Sequence, residues 1–240
     1  MDVYEVRLVR REVVAEGTMA FYFSKPLGYP HRAGQSVQVA LIDPPQTDDA
    51  GDTREFTIAS APHEAELMIA MRMRDTAFKR VLKEAPVGTP VRISEPDGEV
   101  VLHEDTSRPA VFLAGGIGIT PFLSIVRHAA HESLQHPIYL FYSNWKPDVT
   151  AFLPELQGMQ QSNPNYHLIA TMTEAEKSTQ PWSGERGLIR PELLARHLTD
   201  LTQPIYYLAG PPTMTLAMLE MLEDLGIDDE AIKSAEFGGY

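Results

Sequence analysis

The pattern of hydrophobic and polar positions changes near residue 106. Before that point, short runs alternate apolar and polar residues or are rich in β-forming residues, and turns rich in glycine, proline and aspartate separate them. Several short strands at this spacing predict an antiparallel barrel or sandwich. One segment, 76–85, has a helical pattern and ends before a Pro-Val-Gly stop. The predicted strands are 3–14, 18–24, 36–42, 54–59, 66–73 and 90–94.

After residue 106, short apolar strands alternate with helical segments. Their nearly continuous hydrophobicity is typical of a parallel sheet that is covered on both faces. We therefore predict a two-domain protein, with an antiparallel β-barrel over residues 1–106 and an α/β parallel-sheet domain over residues 107–240. The predicted strands of the second domain are 110–115, 137–144, 166–173, 204–210 and 231–237, and its helices are 120–133, 149–160, 190–198 and 212–226.

Composition and charge exclude several classes of protein. The 240 residues contain no cysteine, so disulfides, cysteine-ligated iron–sulfur clusters and thiol catalysis are excluded within this chain. The formal net charge of −13 argues against general nucleic-acid binding. His128 and His131 lack the spacing of a helical zinc site, and no metal site is predicted. With no apolar run of membrane-spanning length and no signal-peptide core, a cytoplasmic location is expected.

The stretch "LAGGIGITP", residues 113–121, has the composition of a phosphate-binding turn. Gly115, Gly116 and Gly118 allow the backbone to approach a ligand closely. Thr120 is a natural N-cap, and Pro121 then occupies the first helical position, where no N–H is needed. The amides and the dipole of that first turn suit a pyrophosphate. The alternative is a strand-to-helix turn that binds nothing.

A second turn of the same kind is "YYLAGPPTM", residues 206–214. Its strand ends in glycine, and Pro211 and Pro212 start the next helix. Because the carboxyl ends of parallel strands share one edge of the sheet, two such turns favour a bound dinucleotide. The simpler interpretation is that the prolines only set the entry of the helix.

The stretch "REFT", residues 54–57, offers a different kind of site in the barrel half. Strand alternation places Arg54 and Phe56 on one face, and Thr57 on the other unless the strand ends there. An arginine for phosphate, an aromatic ring for stacking and a hydroxyl for a ring nitrogen suit a flavin dinucleotide. From these four residues alone, an ordinary half-buried strand is the favoured interpretation.

Taken together, these motifs resemble the ferredoxin–NADP(+) reductase superfamily of FAD- and nicotinamide-dependent flavoproteins. The family's R-x-[FY]-[ST], G-G-x-G-I-T-P and C/A-G-P-P-x-M motifs occur in the family's order as "REFT", "GGIGITP" and "AGPPTM", and the chain ends in "EFGGY". The resemblance covers essentially the whole chain. It implies an antiparallel FAD-binding barrel followed by a nicotinamide-dinucleotide α/β domain, with FAD and NAD(P)H as cofactors.

The resemblance also implies roles for individual residues. Arg54 is expected to bind the FAD pyrophosphate, Phe56 to pack along the flavin, and Thr57 to hydrogen-bond near N5, the atom that accepts hydride. The nicotinamide nucleotide is expected at the two turns, with its pyrophosphate at Gly115, Gly116, Gly118 and Thr120 and its nicotinamide end beside Gly210, Pro211 and Met214.

Some positions depart from the family's pattern. Arg72 and Thr76 are expected to make further FAD phosphate contacts, although "RDTAF" stands where the family has a small Gly-x-x-Ser/Thr element. Ala209 replaces a cysteine that many members carry near the nicotinamide. Tyr240 resembles an aromatic that stacks on the flavin in some members. Glu236 is a candidate for proton handling, or simply an exposed acid near the chain end.

The nucleotide preference is expected to be set at the end of the second strand of the α/β domain. An acidic residue there would hold the adenosine ribose diol, and a basic residue would favour the 2′-phosphate of NADP. The segment offers Ser143 and Lys146 and no acid at the strand end itself, so NADPH is expected as the faster donor.

The expected function is hydride transfer from NAD(P)H to FAD, followed by electron transfer to a small redox protein such as ferredoxin or flavodoxin. A basic stretch at 72–83 suits an acidic partner, although the net negative charge argues against it. One alternative is the reductase component of a multicomponent oxygenase, with any iron–sulfur domain on another chain. A second is a non-catalytic electron-transfer or regulatory subunit of the same fold.

Overall fold

The first of two six-stranded sheets occupies the amino-terminal part of the computed structural model, which describes residues 3–236. Its strands are β1 (Val3–Ala15), β2 (Thr18–Ser24), β3 (Ser36–Leu41), β4 (Thr53–Thr57), β5 (Glu66–Arg72) and β6 (Pro90–Ser94). They pair antiparallel in the order β4-β3-β6-β1-β2-β5. The long strand β1 pairs with β6 along its first half and with β2 along its second. Register shifts in the β1–β2 pairing bend this strand, which curves the sheet.

One helix, α1 (Ala77–Glu84), covers the barrel core. Its apolar side chains Ala77, Phe78 and Leu82 are buried, and its charged residues lie on the opposite face, as expected for an amphipathic helix. Thr76 is the N-cap, and its hydroxyl accepts a hydrogen bond from the Lys79 amide. This capping explains why the helix begins where the sequence predicts it.

The second sheet is parallel and lies in the carboxyl-terminal part of the chain. Its strands are β7 (Ala110–Gly115), β8 (Ile138–Asn144), β9 (Tyr166–Met172), β10 (Glu185–Arg186), β11 (Ile205–Gly210) and β12 (Ile232–Glu236). They are arranged in the order β10-β9-β8-β7-β11-β12. The central strands β7 and β11 are buried along their whole length. The helices are α2 (Ile119–His131), α3 (Leu153–Ser162), α4 (Pro191–His197) and α5 (Pro212–Asp224).

The predicted two-domain fold class is confirmed, and each predicted strand lies within two residues of an observed one. The helix predicted at 149–160 begins later, at Leu153, because a 3-10 turn at Pro147–Val149 and a left-handed Phe152 come first. The two-residue strand β10 was not predicted because it is too short for a periodic pattern. The boundary at residue 106 lies in the connection between β6 and β7 and stays a prediction.

The two sheets pack against each other through helix α2. The Ser124 hydroxyl donates to the Ser60 carbonyl at 2.7 Å in a buried contact. One apolar cluster includes side chains from both sheets, among them Tyr22 and Met68 of the barrel with Phe122 and Ile125 of α2. The two domains are therefore joined by both polar and apolar contacts. No helix within residues 3–236 is long and apolar enough to cross a bilayer.

Candidate active site

A cavity of about 740 Å³ lies where the barrel meets the glycine turn of the α/β domain. Strand β4, the segment that leads into α1, and the start of α2 all contribute to its wall. The cavity therefore brings together predicted residues that are up to 66 positions apart, from Arg54 to Thr120. Its lining includes Asp48, Arg54, Phe56, Thr57, Arg72, Arg74, Thr76, Lys79, Ile117 and Thr120.

The Arg54 guanidinium is held by the loop that precedes β4. Its Nη1 donates to the carbonyls of Ala50 at 2.8 Å and Gly51 at 3.0 Å, and its Nη2 donates to Asp48 Oδ1 at 2.6 Å. The guanidinium also lies 5.5 Å from the ring centroid of Phe78, within cation–π range. These contacts fix a fork of donors at the cavity wall, which is suited to a phosphate group.

Phe56 and Thr57 line the same cavity at the end of β4. The half-buried Phe56 ring packs against Phe78, with ring centroids 5.6 Å apart. Strand alternation would place Thr57 on the face opposite Phe56. Because β4 ends at Thr57, this buried residue nevertheless lines the cavity. Phe78 was missed in the sequence because its helical spacing marks it only as a core residue.

The amino terminus of α1 is a second anion-binding element at this cavity. The Ala77 amide donates to Asp48 Oδ2 at 3.1 Å, and Thr76 caps the helix. Lys79 lies close by, and its pKa is lowered by burial and then by repulsion from Arg74 and Arg54. Such a concentration of positive charge at a helix start fits the phosphates of a dinucleotide.

Arg72 faces the other domain as well as the cavity. Its guanidinium lies 5.0 Å from the ring centroid of Trp145, which follows β8. The Arg72 carbonyl accepts a hydrogen bond from Lys79 Nζ at 2.8 Å. Arg72 therefore links the predicted FAD side of the cavity to the end of strand β8.

The glycine turn differs from its prediction at the start of the helix. Gly115 ends β7, Gly116–Gly118 form a 3-10 turn, and α2 begins at Ile119. Thr120 is therefore not the N-cap, since its hydroxyl donates to the Ile117 carbonyl at 3.1 Å inside the helix. Pro121 still lies in the first helical turn, where an amide has no intrahelical partner. The helix starts early because the 3-10 turn leads directly into it.

The two glycine turns contact each other. A Cβ atom at Gly118 would lie 2.3 Å from the Ala209 carbonyl oxygen, and one at Gly115 would lie 2.3 Å from the Met214 sulfur. Gly116 has φ +53, which favours glycine. The buried Tyr142 hydroxyl of β8 donates a hydrogen bond to the Gly116 carbonyl at 3.0 Å. The sequence does not single out Tyr142, because it is one of several apolar and aromatic residues in β8.

The second turn forms as predicted, with α5 starting at Pro212 after Pro211. Gly210 lies close to Gly115, so that a Cβ added at Gly210 would lie only 3.2 Å from the Gly115 Cα. The residues assigned to the nicotinamide nucleotide therefore form one continuous edge.

The end of β8 bears on the expected preference for NADPH, which stays a prediction. Ser143 pairs in register with Gly115 and so lies beside the glycine turn. Lys146 does not present a free charge, because its Nζ lies 2.8 Å from Glu16 Oε2 and 4.0 Å from Asp148 Oδ2. The hydrogen bond to Glu16 raises the pKa of Lys146, so the ammonium is charged but already compensated.

The carboxyl-terminal candidates are described only in part. Glu236 is the last residue of β12, and its backbone pairs in register with Gly210. A second cavity of about 320 Å³ has Phe56 and Thr57 on one side and Ser234 and Ala235 of β12 on the other. The Glu236 side chain and Tyr240 lie outside the described part of the structure, so their catalytic roles stay predictions.

Residues 112–219 match the oxidoreductase NAD-binding domain family. A Na(+)-translocating NADH-quinone reductase subunit of Methylococcus capsulatus is 31% identical over 156 residues. The match covers 63% of this chain and 38% of that relative, so the chain spans well under half the length of the relatives it matches.

Solved structures resemble the whole chain. The ferredoxin NADP+ reductase of Neisseria gonorrhoeae with bound FAD and NADP has a TM-score of 0.79 at 19% identity, covering 97% of this chain and 98% of that one. The ferredoxin reductase in carbazole 1,9a-dioxygenase has a TM-score of 0.81 at 20% identity, covering 99% of this chain and 70% of that one. At these identities the structural likeness shows the fold.

The sequence motifs, the family match and the fold agree with the cavity and its paired turns. They support FAD and a nicotinamide dinucleotide as the cofactors. The chain therefore contains a segment, residues 112–219, that matches the oxidoreductase NAD-binding domain family, and as a whole it has the two-domain fold of ferredoxin–NADP(+) reductase-like proteins.

Proposed function

We propose that the protein transfers a hydride from a nicotinamide dinucleotide to FAD and passes the electrons on to a small redox protein such as a ferredoxin or flavodoxin. One observation carries this proposal. A single cavity is lined by the Arg54–Thr57 strand end of one domain and by the start of α2 in the other, so both cofactors would meet at one place.

In this proposal, residues of the barrel domain bind FAD. Arg54 and the amino terminus of α1 bind the FAD pyrophosphate, with Arg72 and Thr76 beside them. Phe56 would pack along the flavin, and the buried Thr57 would hydrogen-bond near N5. The cofactors themselves supply the hydride and electron chemistry when they are bound.

The paired turns position the electron donor. The first turn, with Gly115, Gly116, Gly118 and Thr120, binds the pyrophosphate of the nicotinamide nucleotide. Gly210, Pro211 and Met214 lie beside its nicotinamide end. Because the two turns touch, the donor would be oriented by one continuous edge and not by two independent loops.

We infer that the donor is NADH. Lys146 is paired with Glu16 and also lies 4.0 Å from Asp148, so its charge is already compensated. The lysine that would favour the 2′-phosphate of NADP is therefore already neutralised. The name of the relative from Methylococcus capsulatus also specifies NADH as its donor.

An anaerobic titration of the purified protein tests the proposal. We expect an oxidised-flavin spectrum that NADH bleaches faster than NADPH in stopped-flow measurements, followed by reduction of an added ferredoxin or flavodoxin. A protein that gains no flavin on reconstitution would exclude the function, and a clear NADPH advantage would restore Lys146 as the determinant.

The reductase component of a multicomponent oxygenase is the second candidate. The structural likeness to the ferredoxin reductase in carbazole 1,9a-dioxygenase favours it. The two candidates share every step up to the electron acceptor. Electron transfer to a purified oxygenase component, without transfer to free ferredoxin or flavodoxin, would identify the protein as the oxygenase reductase.

A further inference from the structure

The Asp48 carboxylate bridges the two groups that would bind the FAD pyrophosphate. Its Oδ1 accepts from Arg54 Nη2 at 2.6 Å, and its Oδ2 accepts from the Ala77 amide at 3.1 Å. A third hydrogen bond comes from the Ala50 amide to Oδ1 at 3.1 Å. An anion of the protein itself therefore lies between the arginine fork and the first amide of α1.

The Asp48 carboxylate balances positive charge at this end of the cavity. Within residues 3–236, Asp48 is the only carboxylate within 4 Å of any of the three cations that line this end of the cavity, Arg54, Arg74 and Lys79. The lowered pKa of Lys79 has repulsion from the two arginines among its causes, after burial. Without Asp48, the cradle has a surplus of positive charge, which a diphosphate would neutralise.

Asp48 belongs to a loop that lies outside the regular strands of the sheet. The loop spans 42–52 between β3 and β4, and most of its residues are exposed. Apart from Asp48, a hydrogen bond from Arg80 Nη2 to Gln46 Oε1 at 3.0 Å joins it to α1. The Leu41 amide donates to the Asp52 carbonyl and closes the base of the loop.

We propose that Asp48 is an internal competitor for the FAD phosphates, holding the cradle of Arg54 and the α1 amino terminus and leaving it when FAD binds. This inference rests on the proposed FAD site. Asp48 then keeps Arg54 oriented in the absence of cofactor, and each binding event must first break its ion pair. The acid lowers FAD affinity and slows association.

Binding of FAD to the apoprotein, followed by quenching of flavin fluorescence, tests this role. Asp48→Asn keeps the size of the side chain and removes its charge, so we expect a dissociation constant at least about threefold lower at low ionic strength, mainly through faster association. Asp48→Ala should shift affinity in the same direction. Asp52→Asn is the matched control, since it removes the same charge from an exposed position of the same loop, and it should leave affinity within about twofold.

The outcomes separate this inference from the proposed function. Unchanged or weaker FAD binding in both Asp48 variants, with circular dichroism confirming their fold, would show that Asp48 only positions Arg54. Arg54→Ala should weaken FAD binding in either case. If the wild type binds no FAD, the proposed function itself fails; if it binds FAD and only the Asp48 variants behave differently from expectation, the competitor role alone fails.

Discussion

His31 is the residue that most directly couples the stability of the fold to pH. The ring is only 6% exposed, and its Nε2 lies 3.4 Å from the Ser60 carbonyl oxygen. Burial, reinforced by the charge of Lys25, lowers the pKa of His31 to about 4. The folded protein therefore holds this imidazole neutral at pH values where the unfolded chain protonates it.

The sign of the pH effect follows from this lowered pKa. Between the unfolded value of about 6.5 and the folded value of about 4, the unfolded state binds more protons, so stability is lost as pH falls. We expect His31 to account for a loss of about 2 kcal/mol in the free energy of unfolding between neutral pH and pH 5. Urea unfolding at several pH values measures it.

A substitution of His31 measures its contribution to the pH dependence of stability. His31→Gln removes the titration and retains a donor for Ser60, so the slope of stability against pH should become shallower in this range. The exposed His167 is the matched control, and His167→Gln should leave the slope as it is in the wild type. An unchanged slope in His31→Gln would assign the pH dependence to other groups, of which His63, His103 and His128 also have pKa values lowered mainly by burial.

Single residues also mark the limit of what sequence inspection finds. Arg54, Phe56 and Thr57 are recognisable because they form a short contiguous motif on one strand. Asp48 and Phe78 complete the same cavity from a loop and a helix, and no local pattern distinguishes them from an ordinary loop acid and a core aromatic. Their contribution depends on which elements the fold brings together.

At the scale of elements, periodicity predicts the strands well because each buried strand must keep its apolar residues on the core side. The start of α2 shows where this reasoning stops. Thr120 and Pro121 look like an N-cap and a first helical residue, but the preceding 3-10 turn already has helical hydrogen bonding. The close packing of the two glycine turns, which permits this arrangement, is a contact between distant parts of the chain.

The contact between the turns makes a prediction for Gly118. In Gly118→Ala, the added Cβ would lie 2.3 Å from the Ala209 carbonyl oxygen, and a backbone atom cannot move away as a flexible side chain can. The turns must separate, so we expect a loss of about 1–3 kcal/mol in the free energy of unfolding. Weaker binding of NADH, with FAD retained, should accompany it, as measured by titration calorimetry and by the flavin spectrum.

Gly158 provides the control for this substitution. It lies in helix α3, and a Cβ there would meet nothing within 4 Å. Gly158→Ala should raise stability by about 0.5–1 kcal/mol and leave nucleotide binding unchanged, because alanine favours the helix. Normal NADH affinity in a folded Gly118→Ala protein would contradict the role of the paired turns.

At the scale of the whole molecule, Arg127 ties the two domains together. This residue of α2 is 15% exposed, and its Nε and Nη2 donate to the Glu155 carboxylate at 2.7 and 2.9 Å. Its Nη1 lies 3.3 Å from Glu64 Oε1 in the barrel. Burial alone would lower the pKa of Arg127, but these carboxylates raise it, so the cation is held firmly. The cavity that we propose as the cofactor site is lined by residues of both domains, which this contact joins.

Arg127→Gln therefore tests whether the domains unfold as one unit. The variant leaves Glu64 and Glu155 without their cation, and we expect a loss of about 2–3 kcal/mol in the free energy of unfolding. In the wild type we expect two signals of urea unfolding to coincide, the release of FAD from the barrel and the loss of far-ultraviolet circular dichroism of the whole chain. Loss of the interface contact should separate them.

Arg196→Gln is the control for the loss of an arginine ion pair, because Arg196 is 59% exposed and pairs with Glu185 within the α/β domain. An exposed pair contributes little, so stability should change by less than about 1 kcal/mol and the two signals should stay together. If Arg127→Gln behaved like this control, the apolar contacts between α2 and the barrel would be enough to couple the domains. The proposed cofactor cleft would then depend on packing and not on charge.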